Sequence, residues 1–247
     1  MASRVPTIFN PRRRALRMAR AAARSQHPEA ARFVWDEMAD DMLERLAFIR
    51  HKPKRTLLLG AEQAALEDHL GATAQDFDLE APYPRSGFDF IGVLGQLDAV
   101  NDLPGALIHI REALAPGGLV IASFIGGASL GHLRGAMLAA DAERPAARMH
   151  PLVDPRAAPG LMQRVGWKDP VVDTHRLKVR YSSLDRLVHD LRDQGLGSAL
   201  ADAAPPLGKA AFTRARATFA ANADPDGKVT ESFEIITLTG RRSLGGT

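Results

Sequence analysis

The chain has 247 residues, of which 45% are hydrophobic, so it can bury one sizeable core. It contains no cysteine, and this excludes disulfides, thiolate metal ligands and cysteine nucleophiles. The composition agrees with a reducing compartment, and we expect a cytoplasmic location. The apolar runs are shorter than the roughly 20 residues of a membrane span, and the first residues lack the apolar core of a signal peptide. We therefore expect no membrane span.

The net charge of +3 is distributed unevenly. The basic N-terminal segment, residues 1–32, contains eight arginines, beginning with Arg4, against one glutamate, a net charge of +7. Such a segment can bind nucleic acid, anionic lipid or an acidic protein, and its composition also resembles an organelle transit peptide. It lacks the interleaved aromatic residues that stack on single-stranded nucleic acid. We expect a solvated arginine-rich helix on the domain and no nucleic-acid partner.

The first half of the chain alternates between helix and strand patterns. Helices are predicted at residues 33–50, 61–70 and 102–114, the first of them ended by Pro53. Buried strands are predicted at residues 55–60, 88–95 and 119–124. Strands that alternate with helices predict a parallel sheet covered on both faces.

Two short stretches predict how these elements join. Pro116 is expected to stop a helix, and Gly117 and Gly118 permit the positive φ values of a turn into the next strand. Asn101 or Asp102 can cap the helix that begins near Leu103, because a short oxygen-bearing side chain accepts a bond from an exposed helical N–H.

The second half is less regular. Helices are predicted at residues 127–143, 161–166, 182–195 and 207–222. Strands are predicted at residues 171–181 and 229–242. In the last strand, Phe233 and Ile235 are expected on one face, with Thr230, Ser232 and Glu234 on the other. These patterns predict one α/β domain with a helical insertion before its last strands.

Residues 88–134 carry motifs in a specific order: the FDF strand start, VNDLPGAL at a helix entry, LAPGGL at a turn and GGASLGHLR after the next strand. They resemble class I S-adenosylmethionine-dependent methyltransferases. The sequence is most similar to the branch that contains the malonyl-carrier-protein methyltransferase of biotin synthesis and the mitochondrial complex I assembly factor that hydroxylates an arginine. Residues 9–23 and 148–195 resemble the assembly-factor side of this branch.

The resemblance implies an α/β fold with a Rossmann-like methyltransferase sheet, mostly parallel with an antiparallel last strand, and helices on both faces. It implies a methyltransferase-like domain over residues 33–247, with a helical lid at about 129–165 and 183–222. The segment DLEAPY follows Gly60 by only 18 residues, too few for a full strand, helix and strand, and we expect one strand–helix unit to be reduced near residues 65–85.

The resemblance also implies an S-adenosylmethionine site after the first strand, where open parallel sheets bind ligands. The family pattern there resembles Asp-Leu-Gly-Cys-Gly-x-Gly. In this sequence Leu58 takes the acidic position, Gly60 keeps the first glycine, and Glu62 and Ala64 replace the other two. Glycines let the backbone approach the cofactor, and Glu62 brings a negative charge toward a carboxylate-bearing ligand. The loop therefore predicts a degenerate cofactor site.

A second departure follows in the segment DLEAPY, which is similar to the family's acidic segment near the adenine. Either a ribose-binding strand survives in residues 72–77, with Asp76 or Asp78 as its acid, or a strand and helix are deleted or reduced. The family's Leu-His-Trp reads Leu97, Asp98, Ala99, which removes an aromatic wall.

No catalytic residue and no metal site is predicted, because the eight histidines form neither a His-x-x-x-His nor a His-Glu pair. His150, Asp154 and Arg156 lie in a lid segment that an Arg–Asp pair can hold. Tyr181 is predicted to be a packing residue. The candidate cofactor-binding residues are Gly60, Ala61, Asp76, Asp78, Leu94 and Gly95.

Three functions follow from the resemblance. The first is an S-adenosylmethionine-dependent methyltransferase-family protein with a degenerate cofactor loop and an unidentified acceptor. The second is a non-catalytic assembly or chaperone-like protein of the respiratory complex I assembly-factor type, and the third is arginine hydroxylation. The partner is a protein or a small-molecule acceptor. A working site requires an open cleft between Gly60, Asp76 or Asp78, and Leu94 to Leu97; in an inactive site Glu62 and its neighbours should fill it.

Overall fold

A computed structural model describes residues 6–141 and 144–245; Arg4 of the basic N-terminal segment lies outside them. Six strands form one sheet in the order β2-β1-β3-β4-β6-β5. The strands are β1 (Thr56–Gly60), β2 (Ala74–Gln75), β3 (Phe88–Leu94), β4 (Leu114–Ile125), β5 (Lys168–Tyr181) and β6 (Val229–Arg241). The helices are α1 (Pro11–Arg24), α2 (Phe33–Ile49), α3 (Ala64–Leu70), α4 (Leu103–Ala113), α5 (Gly131–Ala140), α6 (Ala158–Arg164), α7 (Leu184–Asp193) and α8 (Lys209–Ala220).

The sheet is parallel from β2 to β4 and antiparallel beyond it. Strand β6 lies between β4 and β5 and runs antiparallel to both. The predicted Rossmann-like sheet, mostly parallel with an antiparallel last strand, is confirmed. Strand β2 has only two residues at the edge of the sheet, and no helix lies between it and β3 in the described chain, so the unit near residues 65–85 is reduced.

Two hydrophobic layers cover the sheet because side chains alternate between its faces along each strand. On one face, Leu58 packs in a cluster with residues of α2, α5, α7 and α8. On the other face, Leu57 and Leu59 pack in a cluster with residues of α4 and α6. The predicted arrangement of helices on both faces is therefore present.

Of the two predicted joins, the helix cap is confirmed and the helix stop is wrong. Asp102, rather than Asn101, caps α4 by accepting the N–H of Gly105 at 2.9 Å. Helix α4 ends at Ala113, before Pro116, which lies inside β4; the prediction that this proline stops the helix is wrong. The helix ends earlier because residues from Leu114 onward join the sheet beside β3.

The end of α2 differs from the sequence pattern, whereas the two faces of β6 are as predicted. Helix α2 ends at Ile49, before Pro53, with Arg50 in a left-handed conformation at φ 56°. Phe233 and Ile235 pack in one cluster on one face of β6, and Glu234 on the other face is buried. Its carboxylate accepts the N–H of Ala128 at 2.9 Å, which satisfies the buried charge.

Candidate functional site

The carboxyl ends of β1 and β3 meet at the position where a parallel sheet offers a ligand site. Gly60 pairs with Leu94 in the parallel register, and the N–H of Ala61 donates to the Leu94 carbonyl at 3.0 Å. Gly60 has φ 99°, and a Cβ at this position would overlap the Leu94 carbonyl oxygen. The retained glycine is therefore required by the close approach of two strand ends.

The indole ring of Trp35 covers the residue that follows β3. A Cβ on Gly95 would lie 2.9 Å from two carbons of this ring, so the ring rests directly on the glycine backbone. The Trp35 Nε1–H donates to the carbonyl of Gln194 at 3.1 Å, which fixes the orientation of the ring. The Trp35 residue is 8% exposed. An aromatic side chain from α2 thus fills the space above the end of β3.

Arg14 of α1 contacts the acidic segment after β2 and the segment after β3. Its guanidinium donates to Glu80 at 2.8 Å and to the carbonyl of Ala99 at 3.1 Å. A longer bond of 3.4 Å reaches Asp78. The Arg14 side chain is 12% exposed and that of Glu80 is 18% exposed. The acidic segment after β2 is therefore held by an arginine of the same chain.

A buried group of charges lies next to Arg14. The carboxylate of Asp98 is 3.9 Å from Arg17 and 3.6 Å from the Nε2 of His150. Burial alone would raise the pKa of Asp98, but the hydrogen bond from His150 and the charge of Arg17 outweigh it, so the pKa is lowered. Burial also lowers the pKa of Arg17, against the opposing effect of Asp98.

The structure brings together four of the candidate cofactor-binding residues, and the pairing of Leu59 with Gln75 places Asp76 at the carboxyl end of the adjacent strand β2. Gly60, Ala61, Leu94 and Gly95 meet at the ends of β1 and β3. Asp78 is exposed and lies beside Arg14.

Asp76 is exposed as well. Glu62 points to solvent, so the prediction that its side chain fills an inactive site is wrong. The side chains that occupy this edge come from α1 and α2 instead.

Neither of the two described cavities is lined by Gly60, Asp76, Asp78 or Leu94 to Leu97. The apolar cavity, of about 300 Å³, lies between α5, α7 and the segment around His150. Its wall is mostly aliphatic and aromatic, with Leu133, Met137, Val188 and Phe233 among the lining residues. A cavity of this size is at the lower end of the range for small-molecule sites.

The remaining sequence candidates have structural roles. Arg156 donates to Asp154 at 2.7 Å, as expected for a lid held by an Arg–Asp pair. Tyr181 is 2% exposed, as predicted for a packing residue, and burial raises its pKa. His150 differs from these, because it lines the apolar cavity and contacts the buried carboxylate of Asp98.

One group of side chains in the described ranges has the spacing of metal ligands. His189, Asp190 and Asp193 bring one donor atom each within 4.8 Å of one another. Arg24 donates to Asp193 at 2.6 Å, and the Nε of Arg186 lies 3.0 Å from Asp190. Because arginines neutralise both carboxylates, we interpret the group as an ion-pair network.

Sequence reasoning missed Arg14, Arg17 and Trp35. The arginines of the basic N-terminal segment were expected to be solvated, but the side chains of Arg14 and Arg17 are 12% and 10% exposed. Their spacing of three residues places them on one face of α1, and this signal was available. Nothing in the local sequence of α2 indicates that Trp35 meets Gly95.

Similarity to known proteins points to one family. The family described as a methyltransferase domain matches residues 22–171. The malonyl-[acyl-carrier protein] O-methyltransferase of Halorhodospira halophila is 27% identical over 91% of this chain and 86% of its own length. The arginine-hydroxylase NDUFAF5 of Rattus norvegicus is 33% identical, over 46% of this chain and 34% of that protein.

A solved structure supports the same fold. The YcgJ protein of Bacillus subtilis superposes with a TM-score of 0.51 at 9% identity, covering 85% of this chain and 100% of that one. The likeness concerns the fold alone. No helix in the described ranges has both the length and the apolar character needed to cross a bilayer.

Proposed function

Because the chain belongs to the methyltransferase domain family of the class I S-adenosylmethionine-dependent superfamily, we propose that it is a member with a degenerate cofactor site. In this proposal the chain keeps the fold and does not bind S-adenosylmethionine for turnover. The observation that carries the proposal is the packing of the Trp35 ring on Gly95, together with the bonds of Arg14 to Glu80 and to the carbonyl of Ala99.

The loop after β1 supports this proposal. A site for this cofactor needs backbone that the ligand can approach, and Glu62 and Ala64 stand where the family pattern has glycines. The one glycine that remains, Gly60, is accounted for by its contact with Leu94. The glycine of this loop is therefore explained by the packing of β1 against β3, without a bound cofactor.

The acidic segment supports it as well. A carboxylate that binds ribose hydroxyls must be free to accept their hydrogen bonds. Glu80, which neighbours the candidate acid Asp78, accepts from Arg14 and from the backbone N–H groups of Asn101 and Asp102, at 2.9 and 3.1 Å for the latter two. Asp78 shares the same arginine. In this proposal the loop with Glu62 and Ala64 and the acidic segment bound by Arg14 do not fit the cofactor, and we route no chemical step through it.

For the biological role, we propose a non-catalytic assembly function of the respiratory complex I assembly-factor type. The support is the similarity to proteins named arginine-hydroxylase NDUFAF5 together with the proposed loss of the cofactor. Assembled complex I should decrease on a native gel of cells that lack the protein, and expression of the wild-type chain should restore it. An unchanged level of assembled complex I in the deletion cells would contradict this role.

Methyl transfer to a small-molecule acceptor is the second candidate. It is favoured by the apolar cavity, whose lining includes Asp98 and His150 close to the carboxyl end of β3. In that case the cavity would hold the acceptor, and catalysis would consist mainly of orienting its nucleophile. This candidate requires the cofactor to bind, so a single binding experiment separates it from the first.

Thermal unfolding with and without ligand tests the proposed loss of S-adenosylmethionine binding. A ligand at 1 mM with a dissociation constant of about 1 μM adds about 4 kcal/mol to the free energy of unfolding. We expect S-adenosylmethionine and S-adenosylhomocysteine at 1 mM to leave the melting temperature unchanged. A rise of several degrees with either ligand would contradict the proposal and favour methyl transfer.

A further inference from the structure

A second cavity, of about 450 Å³, lies beside α1, and we call it the basic cleft. Its charged lining residues are the four arginines Arg13, Arg17, Arg20 and Arg148 and one carboxylate, Asp202. The lining thus carries an excess of positive charge in a concave surface, which raises the local concentration of anions. Nothing in the fold of the sheet requires this arrangement.

The arginines on α1 share one face of the helix. Arg13, Arg17 and Arg20 follow one another at steps of four and three residues, so their side chains are neighbours. Like charges at this spacing destabilise a helix by a few tenths of a kcal/mol per pair. In the described part of the chain, no ion pair involves Arg13 or Arg20. An anion in the cleft would relieve this repulsion.

Arg17 offers a hydrogen-bond donor without a partner. Its guanidinium donates to the carbonyl of Gly197 at 2.7 Å and lies 3.9 Å from Asp98, but its buried Nε has no acceptor among the described residues. The side chain is 10% exposed. Leaving a buried charged donor unsatisfied costs free energy, and Arg17 is one of the residues that line the cleft.

The basic cleft adjoins the apolar cavity. Arg148 and Ser198 line both cavities, so the two cavities are neighbours. Arg148 is held in place by two bonds of 2.7 Å to Asp141 and one of 2.8 Å to the carbonyl of Pro205. This pairing neutralises Arg148, so the uncompensated positive charge of the cleft is on the α1 side.

We propose that the basic cleft and the apolar cavity together bind one amphiphilic phosphate ester, with the phosphate between Arg13, Arg17 and Arg20 and an alkyl or acyl chain in the apolar cavity. A phosphate monoester fits better than a single carboxylate, because three arginines of α1 line the cleft and a dianion offers more acceptor oxygens. The adjoining cavity accounts for the apolar part of the ligand.

The probe is octyl phosphate below its micelle concentration, titrated calorimetrically into the full chain, with inorganic phosphate and octanol as partial ligands. We expect octyl phosphate to bind at least about tenfold more tightly than inorganic phosphate, a gain of about 1.4 kcal/mol from burial of the alkyl chain. Equal affinities of the two phosphates would overturn the proposal.

Three variants locate the binding. The double variant R13Q/R20Q should weaken the binding of octyl phosphate by about tenfold or more, because it removes two uncompensated charges. Arg12→Gln is the control, since it removes one positive charge from the same helix outside the cleft. V188F should narrow the apolar cavity. It should therefore abolish the difference in binding affinity between octyl phosphate and inorganic phosphate. An equal loss in the Arg12 control would overturn the proposal.

A vesicle sedimentation experiment distinguishes binding of a free phosphate ester from binding of a lipid headgroup with the same chemistry. Phosphatidylcholine vesicles containing phosphatidic acid present the phosphate monoester at a surface. We expect no sedimentation of the protein with them, because the cavity lies inside the domain. Sedimentation that R13Q/R20Q abolishes, without binding of octyl phosphate, would overturn the proposal. None of these outcomes depends on S-adenosylmethionine, so this inference and the proposed function fail separately.

Discussion

Arg14 donates a hydrogen bond of 2.8 Å to Glu80, and this bond ties the N-terminal helix α1 to the segment between β2 and β3. The same guanidinium reaches the carbonyl of Ala99. One arginine of the basic N-terminal segment thus connects the two places where a cofactor of this family would be expected. The predictions below follow from this and related contacts.

Arg14→Gln should destabilise the fold. The hydrogen bonds of a charged group contribute about 1.5–3 kcal/mol, and the substitution also leaves the half-buried Glu80 without its counter-ion. We expect a loss of this size in chemical denaturation. Arg12→Gln is the control, because Arg12 is exposed. An equal change in the two variants would show that the loss is a general effect of charge on α1.

Gly60→Ala should be more destabilising than Gly71→Ala. Both glycines have positive φ, 99° and 60°, so both substitutions carry a backbone cost. At Gly60 the new Cβ would also overlap the carbonyl of Leu94, whereas nothing lies within 4 Å at Gly71. We expect about 1 kcal/mol at Gly71 and at least about 1 kcal/mol more at Gly60. Equal midpoints of urea unfolding would contradict the close packing of β1 and β3.

Trp35→Ala should cost about 3–5 kcal/mol in the free energy of unfolding, because it removes a large buried ring and leaves a cavity over Gly95. Phe48→Ala on the same helix is the control, since that side chain is 90% exposed. Its loss should be below about 0.5 kcal/mol. Similar losses of unfolding free energy in both variants would contradict the packing of Trp35 on Gly95.

Asp98→Asn should destabilise the protein by about 3 kcal/mol or more near neutral pH, because it leaves the buried Arg17 without its counter-charge. The double variant with Arg17→Met should recover part of the loss, since both charges are then absent. A double-mutant cycle measures this coupling. Additive losses in the cycle would show that the two groups do not interact.

The same carboxylate predicts a pH dependence. The pKa of folded Asp98 is lowered from its ordinary value of 3.8, so below this pH the unfolded chain takes up the proton first. The stability that Asp98 contributes is therefore complete above about pH 4 and is lost as the pH falls through the lowered pKa. Wild-type protein should lose stability more steeply below pH 4 than D98N. Parallel curves would contradict the lowered pKa.

The fold was accessible from the sequence because its signals are local or belong to the family motifs. Alternating strand and helix patterns predict the parallel part of the sheet, and residues 88–134 carry the resemblance that fixes the antiparallel last strand. The reduced edge could also be predicted, since Gly60 and Asp78 are too close in sequence for a full strand, helix and strand. Strand β2 has two residues.

The contacts at the candidate site were less accessible because they join elements that are distant in sequence. Helical spacing places Arg14 and Arg17 on one face of α1, but it does not indicate that this face meets Glu80 and Asp98. The sequence predicts a degenerate loop after β1. It pointed to Glu62 as the obstructing side chain, whereas Trp35 covers the site edge.

Isothermal titration of the purified full chain with S-adenosylmethionine, and separately with S-adenosylhomocysteine, tests the central claim most directly. The account predicts no heat of binding at ligand concentrations up to 1 mM, since a dissociation constant above this value corresponds to less than about 4 kcal/mol of binding free energy. Binding of either ligand with a micromolar dissociation constant would contradict it. Such binding would mean that Trp35 and Arg14 form part of a working cofactor site.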